Sequence, residues 1–343
     1  MSYESIRLEK GMYRESGKSF SQVLEALDPS EAYQGTALEG TDAFQRQLKR
    51  FGIRVRGAGS DPVEKFFSTF ESAVLFPEFI SRVVRQGIDE KNILPSIVAT
   101  VTNIDAMDYR SIYSAAKNDD RELRFVSEGA SIPETVIRSK ENLIPLRKRG
   151  RMLVASYEAL RFQKLDMFSV MLRQIGSYIQ QMQIADAVNV LENGDGNANS
   201  APLYTIGSFP ISGTAGTLEY DQLVEFWTLF HPYELNTILV NPAMMATMLK
   251  LPELQNPTAG LNFQGTGKIG TPMGAELICN ESVSSDLIIG LDRRYALEMV
   301  QAGDVCVEYD KLIDRQLERA AITTICGFAK IYDGAVNALE TGE

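Results

Sequence analysis

The stretch from Lys164 to Glu192 contains no proline and only one glycine, Gly176, and Asn193-Gly194 supplies a clean stop. Within it Phe168, Leu172, Ile175, Ile179 and Met182 recur at spacings of 4, 3, 4 and 3, the period of one apolar helix face. At 1.5 Å per residue this helix would run about 43 Å, well beyond the roughly three to four turns common in globular domains. A rod of that length requires something long to lie against. No other feature narrows the possible folds as far.

The segment leading into the helix is different in kind. Residues 119 to 151 carry eight basic and six acidic side chains, a local charge of +2 in a chain whose net charge is -11. Residues 121 to 127 and 135 to 145 each supply an extended arm, with Gly129 and Pro133 marking the bend between them. Their apolar content is too thin to bury both faces of a strand, so a hairpin projecting into solvent fits better than a core sheet. Excursions of this length usually carry a function or a partner, although a plain solvated ribbon is the simpler alternative. Arg147, Lys148, Arg149 and Arg151 form the sharpest basic cluster. No aromatic residue interleaves them and the background charge has the opposite sign, so pairing with the acidic surface of another copy explains them more economically than nucleic-acid recognition.

The flanking regions fill in the organisation. Residues 1 to 60 are polar, rich in scattered glycines and without a sustained period, which reads as an arm that crosses or wraps something. Asp61-Pro62-Val63-Glu64 places a cap, a first-turn proline and a glutamate in order, predicting a helix from Pro62 with Val63, Phe66, Phe67 and Phe70 as its stripe. A second short amphipathic element from Phe79 to Gln86 precedes IVATVT near residues 97 to 102, whose β-branched residues predict a strand.

Beyond the long helix, Leu223, Phe226, Trp227 and Phe230 share a helical face closed by Pro232, and Asn241-Pro242 opens a second helix carrying Met244, Met245 and Met248 as core filling. Short apolar runs at 237–240, 275–279, 287–291, 296–300 and 305–309 predict strands, and the tail from residue 318 returns as another. Residues 203 to 310 therefore form a compact α+β domain.

Chemistry is hard to place on this sequence. The one histidine, His231, follows an aromatic helix and suits a structural role against its C-terminal dipole; no Cys or His neighbours it to make a metal site or a triad. Gly265-Thr-Gly267-Lys-Ile-Gly270 matches a dinucleotide fingerprint in letters only, because Thr271-Pro272 does not continue into a helix. Three widely spaced cysteines, Cys279, Cys306 and Cys326, give no disulfide framework and read as reduced core residues. The N-terminal stretch lacks a signal-peptide core, and no apolar run reaches the length of a membrane span. The expectation is a non-enzyme with no cofactor, no metal and no membrane partner. A cytosolic enzyme built on an unrecognised carboxylate pair is the competing class.

The order of parts is an arm and short helix, a charged hairpin, a long helix, a compact α+β domain and a returning strand. This order resembles the major capsid protein family of tailed bacteriophages, whose HK97-like fold is shared with encapsulin shells. GRMLVASYEAL, from Gly150 to Leu160, is similar to the family's passage from the extended loop into the peripheral domain, and Gly194-Asp195-Gly196 matches the turn after its spine helix. Ile238-Leu-Val-Asn-Pro242, Gly270-Thr-Pro-Met-Gly274 and Asp292-Arg-Arg-Tyr295 resemble the axial-domain pattern. The likeness covers about residues 62 to 338, and its strength lies in the order of motifs rather than in any one of them.

The resemblance implies an α+β HK97-like capsid fold: an N-terminal arm (1–60), a short helix and the start of the peripheral domain (61–120), an extended β-hairpin loop (121–151), a peripheral domain with the spine helix (152–202), an axial domain (203–310) and a return to the peripheral domain (311–343). It implies a subunit that tiles an icosahedral shell as pentamers and hexamers around double-stranded DNA, without sequence-specific binding. A portal and scaffolding or decoration proteins would be its further partners, the host cytoplasm its place of assembly and the virion its destination. Arg121, Arg124, Glu128, Glu134, Arg138, Lys140, Arg147, Lys148, Arg149 and Arg151 are the implied intersubunit contacts. An encapsulin-like compartment with a protein cargo is the alternative within the same fold.

Overall fold

The long helix spans Leu165–Asn193, 29 residues, within one residue of the expected limits. In this computed structural model the described residues are all except 1–2, 15–17, 115–124, 131, 133–136, 256–272, 304 and 343. The helices are α1 (Phe20–Leu27), α2 (Ala43–Arg50), α3 (Phe70–Asp89), α4 (Tyr157–Phe162), α5 (Leu165–Asn193), α6 (Tyr220–Thr228), α7 (Pro242–Met248) and α8 (Pro252–Gln255). The strands are β1 (Val98–Ile104), β2 (Ile112–Ser114), β3 (Ile137–Ser139), β4 (Arg147–Ser156), β5 (Leu203–Thr205) and β6 (Thr237–Val240). They continue with β7 (Glu276–Cys279), β8 (Leu287–Leu291), β9 (Leu297–Ala302), β10 (Cys306–Leu312), β11 (Leu317–Lys330) and β12 (Val336–Glu340). Two compact units result, each from three chain segments: Met1–Lys91, Lys148–Gln180 and Asp304–Thr324 in the first, Asn92–Arg147, Gln181–Gly303 and Ile325–Glu343 in the second.

In the first unit α3 lies against the N-terminal part of α5, and two glycines set how closely. A Cβ on Gly176 would sit 2.1 Å from the Val84 carbonyl oxygen, and one on Gly87 would sit 2.1 Å from that of Arg173, so the two backbones meet where any side chain would hold them apart. Leu75, Ile80 and Val84 are buried in one cluster with Leu172, Ile175 and Ile179. Met182, the last member of the expected stripe, is exposed instead. The expected helix start at Pro62 yields only a 3-10 turn, Val63–Phe67. The α-helix begins eight residues later, where Thr69 caps it reciprocally with Ser72, and it runs through Pro77 without ending there.

Where the sequence predicts an arm without a sustained period over residues 1 to 60, the described residues include two α-helices, α1 and α2. Ser19 with Gln22 and Asp42 with Gln45 form capping boxes on α1 and α2, and Phe20, Leu24, Phe44 and Leu48 join the α3 cluster. The fully buried Arg46 donates from Nε to Asp28 at 2.5 Å and from Nη2 to the Asp28 carbonyl, tying the two helices together. Helices of eight residues are shorter than the window in which a period becomes visible. β10 pairs antiparallel with the first half of β11, from Cys306↔Thr323 to Leu312↔Leu317, and β4 also pairs with β11.

Among the described residues of the second unit the strands pair in three groups, one of them the two-stranded β2-β3. β1 runs parallel to β9, and β9 is antiparallel to the end of β11, from Cys326↔Gln301 to Lys330↔Leu297. A further sheet has the order β5-β12-β8-β6-β7. Phe226, Phe230, Met244, Met245 and Met248 fill one apolar cluster with Ile238 and Ile288, as their spacing predicts. The Asp292-Arg-Arg-Tyr295 motif has a structural meaning here: buried Asp292 accepts from Asn236 Nδ2 (2.8 Å), Arg294 Nε (3.0 Å) and the Glu234 amide (3.1 Å). His231 lies three residues beyond the end of α6 and is exposed. Of the cysteines only Cys326 is a core residue, since Cys279 and Cys306 are exposed. The Gly265 to Gly270 loop lies outside the described residues.

Candidate functional site

The charged segment forms a short ladder in the second unit. β2 and β3 pair antiparallel with Ile112 opposite Ser139, Tyr113 opposite Arg138 and Ser114 opposite Ile137. Pairing therefore starts before the expected first arm, and residues 125–127 of that arm carry no strand. The two rails stay joined at the base, where the Lys140 amide donates to the Ser111 carbonyl and the Ile144 amide to the Tyr109 carbonyl, both at 2.8 Å. Beyond the ladder, apolar side chains face solvent: Phe125 is fully exposed, Ile132 is 74% exposed, and Ile137 and Ile112 are exposed on the strands.

The base is fastened by two buried carboxylates. Glu298, the second residue of β9 and 7% exposed, accepts from three hydroxyls. Thr102 Oγ1 and Tyr109 Oη donate to its Oε1 at 2.5 and 2.6 Å, and Ser111 Oγ donates to its Oε2 at 2.8 Å. Burial, and then the hydrogen bond to this carboxylate, raises the Tyr109 phenol above its ordinary range. On the other rail Lys140 Nζ donates to Asp195 Oδ2 at 2.9 Å and to the Lys330 carbonyl. The same Asp195 oxygen accepts from the Lys330 amide at 3.0 Å, and Asn197 donates to the other. Burial opposes the Asp195 charge, but the hydrogen bonds from Asn197 and Lys140, with the Lys140 charge, outweigh it and hold the carboxyl below its ordinary range. The turn that presents Asp195 needs its glycines: Gly194 and Gly196 have φ of +84° and +93°, values that favour glycine.

The sequence-predicted contact residues fall into three groups. Arg121, Arg124 and Glu134 lie outside the described residues. Glu128, Arg138, Lys148 and Arg151 are exposed, Arg149 is half-buried, and Arg147 is exposed while pairing with Asp186 at 2.7 Å. Lys140 does not project into solvent: it is 7% exposed with its ammonium committed inside its own chain. The resemblance implies an intersubunit contact for it, and the opposing Asp195 is 55 residues away in sequence. Sequence reasoning also missed Glu298, whose signal was a lone carboxylate in the apolar run LEMVQA.

A second exposed feature belongs to the first unit. Met167, Val170, Met171 and Tyr178 form an apolar stripe on the outer side of α5, and Met152 and Val154 of β4 are exposed as well. The helix is apolar on two faces, and a single periodic stripe hides the second. Among the described residues no group of three or more His, Cys, Asp or Glu side chains is placed to hold a metal ion, and no helix is long and apolar enough to cross a membrane.

The family described as phage capsid protein matches residues 140–296. The structure is similar to the virus-like particle from Pyrococcus furiosus, with TM-score 0.50, 12% identity, and coverage of 77% of this chain and 98% of that one. It is similar to the capsid of the native GTA particle, with TM-score 0.54, 16% identity, and coverage of 73% and 90%. It is also similar to the capsid of cyanophage P-SCSP1u, with TM-score 0.51, 14% identity, and coverage of 73% and 88%. No curated protein matches in sequence. Identities this low establish the fold, and the fold is HK97-like.

Proposed function

We propose that the chain is a capsid subunit that assembles with copies of itself, as pentamers and hexamers, into an icosahedral shell around double-stranded phage DNA. The observation that carries this reading is the hairpin: Ile112, Phe125, Ile132 and Ile137 are exposed on an excursion whose base is fastened to a buried core. Burying one such side chain is worth about 1.5–3 kcal/mol, and a neighbouring copy supplies the surface. Glu128 and Arg138 add exposed charge to the same hairpin, Lys148 and Arg151 are exposed on β4, and the net charge of -11 offers acidic surface to pair with the basic members. Arg121, Arg124, Glu134, Arg147 and Arg149 are assigned to intersubunit contacts as well; Lys140 is not. The likeness in fold to capsid and virus-like-particle chains supports the same assignment.

Within this reading the DNA is enclosed without base recognition, which fits a wall of net negative charge. The shell is completed by a portal and by scaffolding or decoration proteins, is built in the host cytoplasm and ends in the virion. No catalytic step is assigned to the chain.

Electron microscopy of the full chain across protein concentration and ionic strength tests the proposal. Closed shells are expected, and Phe125→Ser with Ile132→Ser leaves the circular dichroism of the subunit unchanged while abolishing them. Small dispersed particles under every condition overturn it. Shells from infected cells that hold protein cargo instead of DNA transfer the chain to the encapsulin-like alternative.

A further inference from the structure

The hairpin's direction is set by its base, and the base hangs on few atoms. Two backbone hydrogen bonds join the rails at Ser111–Lys140 and Tyr109–Ile144. One rail is then gripped by Glu298 through Tyr109 and Ser111, and the other by Asp195 through Lys140. Both carboxylates are buried, at 7% and 2% exposure, Glu298 near the start of β9 and Asp195 in the turn following α5.

We infer that Glu298 and Asp195 are positioning residues for assembly: they hold the hairpin base in one orientation before a partner arrives. This rests on the capsid reading. An excursion joined to the core only by flexible chain would pay its ordering entropy at each docking event, whereas a base fixed in advance lowers that cost. The grip is polar and local, so it can be loosened without emptying a core. Tyr109→Phe leaves Glu298 with the Thr102 and Ser111 hydroxyls, and Lys140→Met leaves Asp195 with Asn197 and the Lys330 amide. Neither change strands a buried charge without donors.

The test uses the full chain carrying Tyr109→Phe and Lys140→Met together, with two readouts. Hydrogen exchange of the Lys140 and Ile144 amides in unassembled subunits should speed up about tenfold or more, as expected when local opening loses a hydrogen bond or two, while amides of β6 and β8 keep the wild-type rate. Unchanged exchange at the base, or acceleration spread evenly over the second unit, overturns the local grip. Shell yield is the second readout. A loosened subunit that forms shells as fast and as completely as wild type overturns the positioning role, and a clear fall in assembly rate supports it. Should the wild-type chain form no shells, the capsid reading fails on its own, and the exchange measurement still decides whether the grip exists.

Discussion

The Tyr13 hydroxyl donates to the Val74 carbonyl at 2.8 Å, inside the hydrogen-bond ladder of α3, and accepts from the Glu78 amide at 3.0 Å. In an uninterrupted helix Glu78 would donate to Val74 directly. Pro77 explains the opening, because its ring clashes with the carbonyl four residues back and it has no N–H of its own. A side chain from the N-terminal segment thus repairs a helix 61 residues away. Its ring also stacks on Phe20 with centroids 4.3 Å apart. Tyr13→Phe keeps the stack and leaves two ladder groups unpaired, so a loss of about 1–3 kcal/mol is expected in urea unfolding. Adding Pro77→Ala lets the ladder close, and the double variant should recover part of the loss rather than sum the two effects.

The packing of α3 on α5 gives a sharper expectation. Gly176→Ala should improve intrinsic helix propensity by about 1 kcal/mol, yet its Cβ would lie 2.1 Å from the Val84 carbonyl oxygen. Backbone cannot yield as a flexible side chain does. Forced separation costs at least the roughly 1–3 kcal/mol of ordinary overpacking, so the net result is a lower melting temperature. A stabilised variant would mean that the helices do not meet there.

Legibility in the sequence followed the range of the interactions involved. The ends of α5, the two α6–α7 helices and most of β6 to β10 were readable because caps, prolines and short apolar runs act locally. Pairings such as β1 with β9 and the grip of Asp195 on Lys140 join residues far apart, and no local period encodes them. α1 and α2 were too short to declare a stripe, and the capping boxes at Ser19 and Asp42 were the signal available. Within the charged segment, charge alone did not show which side chains face out: Lys140 turned inward, while Phe125 and Ile132 are exposed apolar residues.

Reversing charge on β4 separates assembly from folding. Lys148 and Arg151 are exposed, and surface changes of this kind usually alter stability by no more than about 0.5 kcal/mol. Lys148→Glu with Arg151→Glu should therefore melt like wild type and assemble poorly. Light scattering adds a second criterion. Wild-type assembly should weaken between about 0.01 M and 1 M ionic strength, as the screening length falls from about 30 Å to about 3 Å, and the reversed variant should lose that sensitivity.

The last expectation concerns pH. The Lys330 side chain is fully buried and donates to the Asn199 carbonyl at 3.0 Å. Burial drives its ammonium down to about 8, against the pull of Asp333 and Asp195, with nearby Lys140 adding to the depression. In the unfolded chain a lysine titrates near about 10.4. Between these values the unfolded chain holds a proton that the native chain has released, so this group makes stability rise with pH. Below about 8 both states are protonated and the cost of burying the charge is present in full. Asp195, held below its ordinary range, stays ionised across the window. Lys330→Met removes the titration, so the stability of wild type minus that of the variant should climb from pH 7.5 to pH 10, as read from paired urea unfolding curves. A flat difference would show that Lys330 keeps an ordinary affinity for its proton.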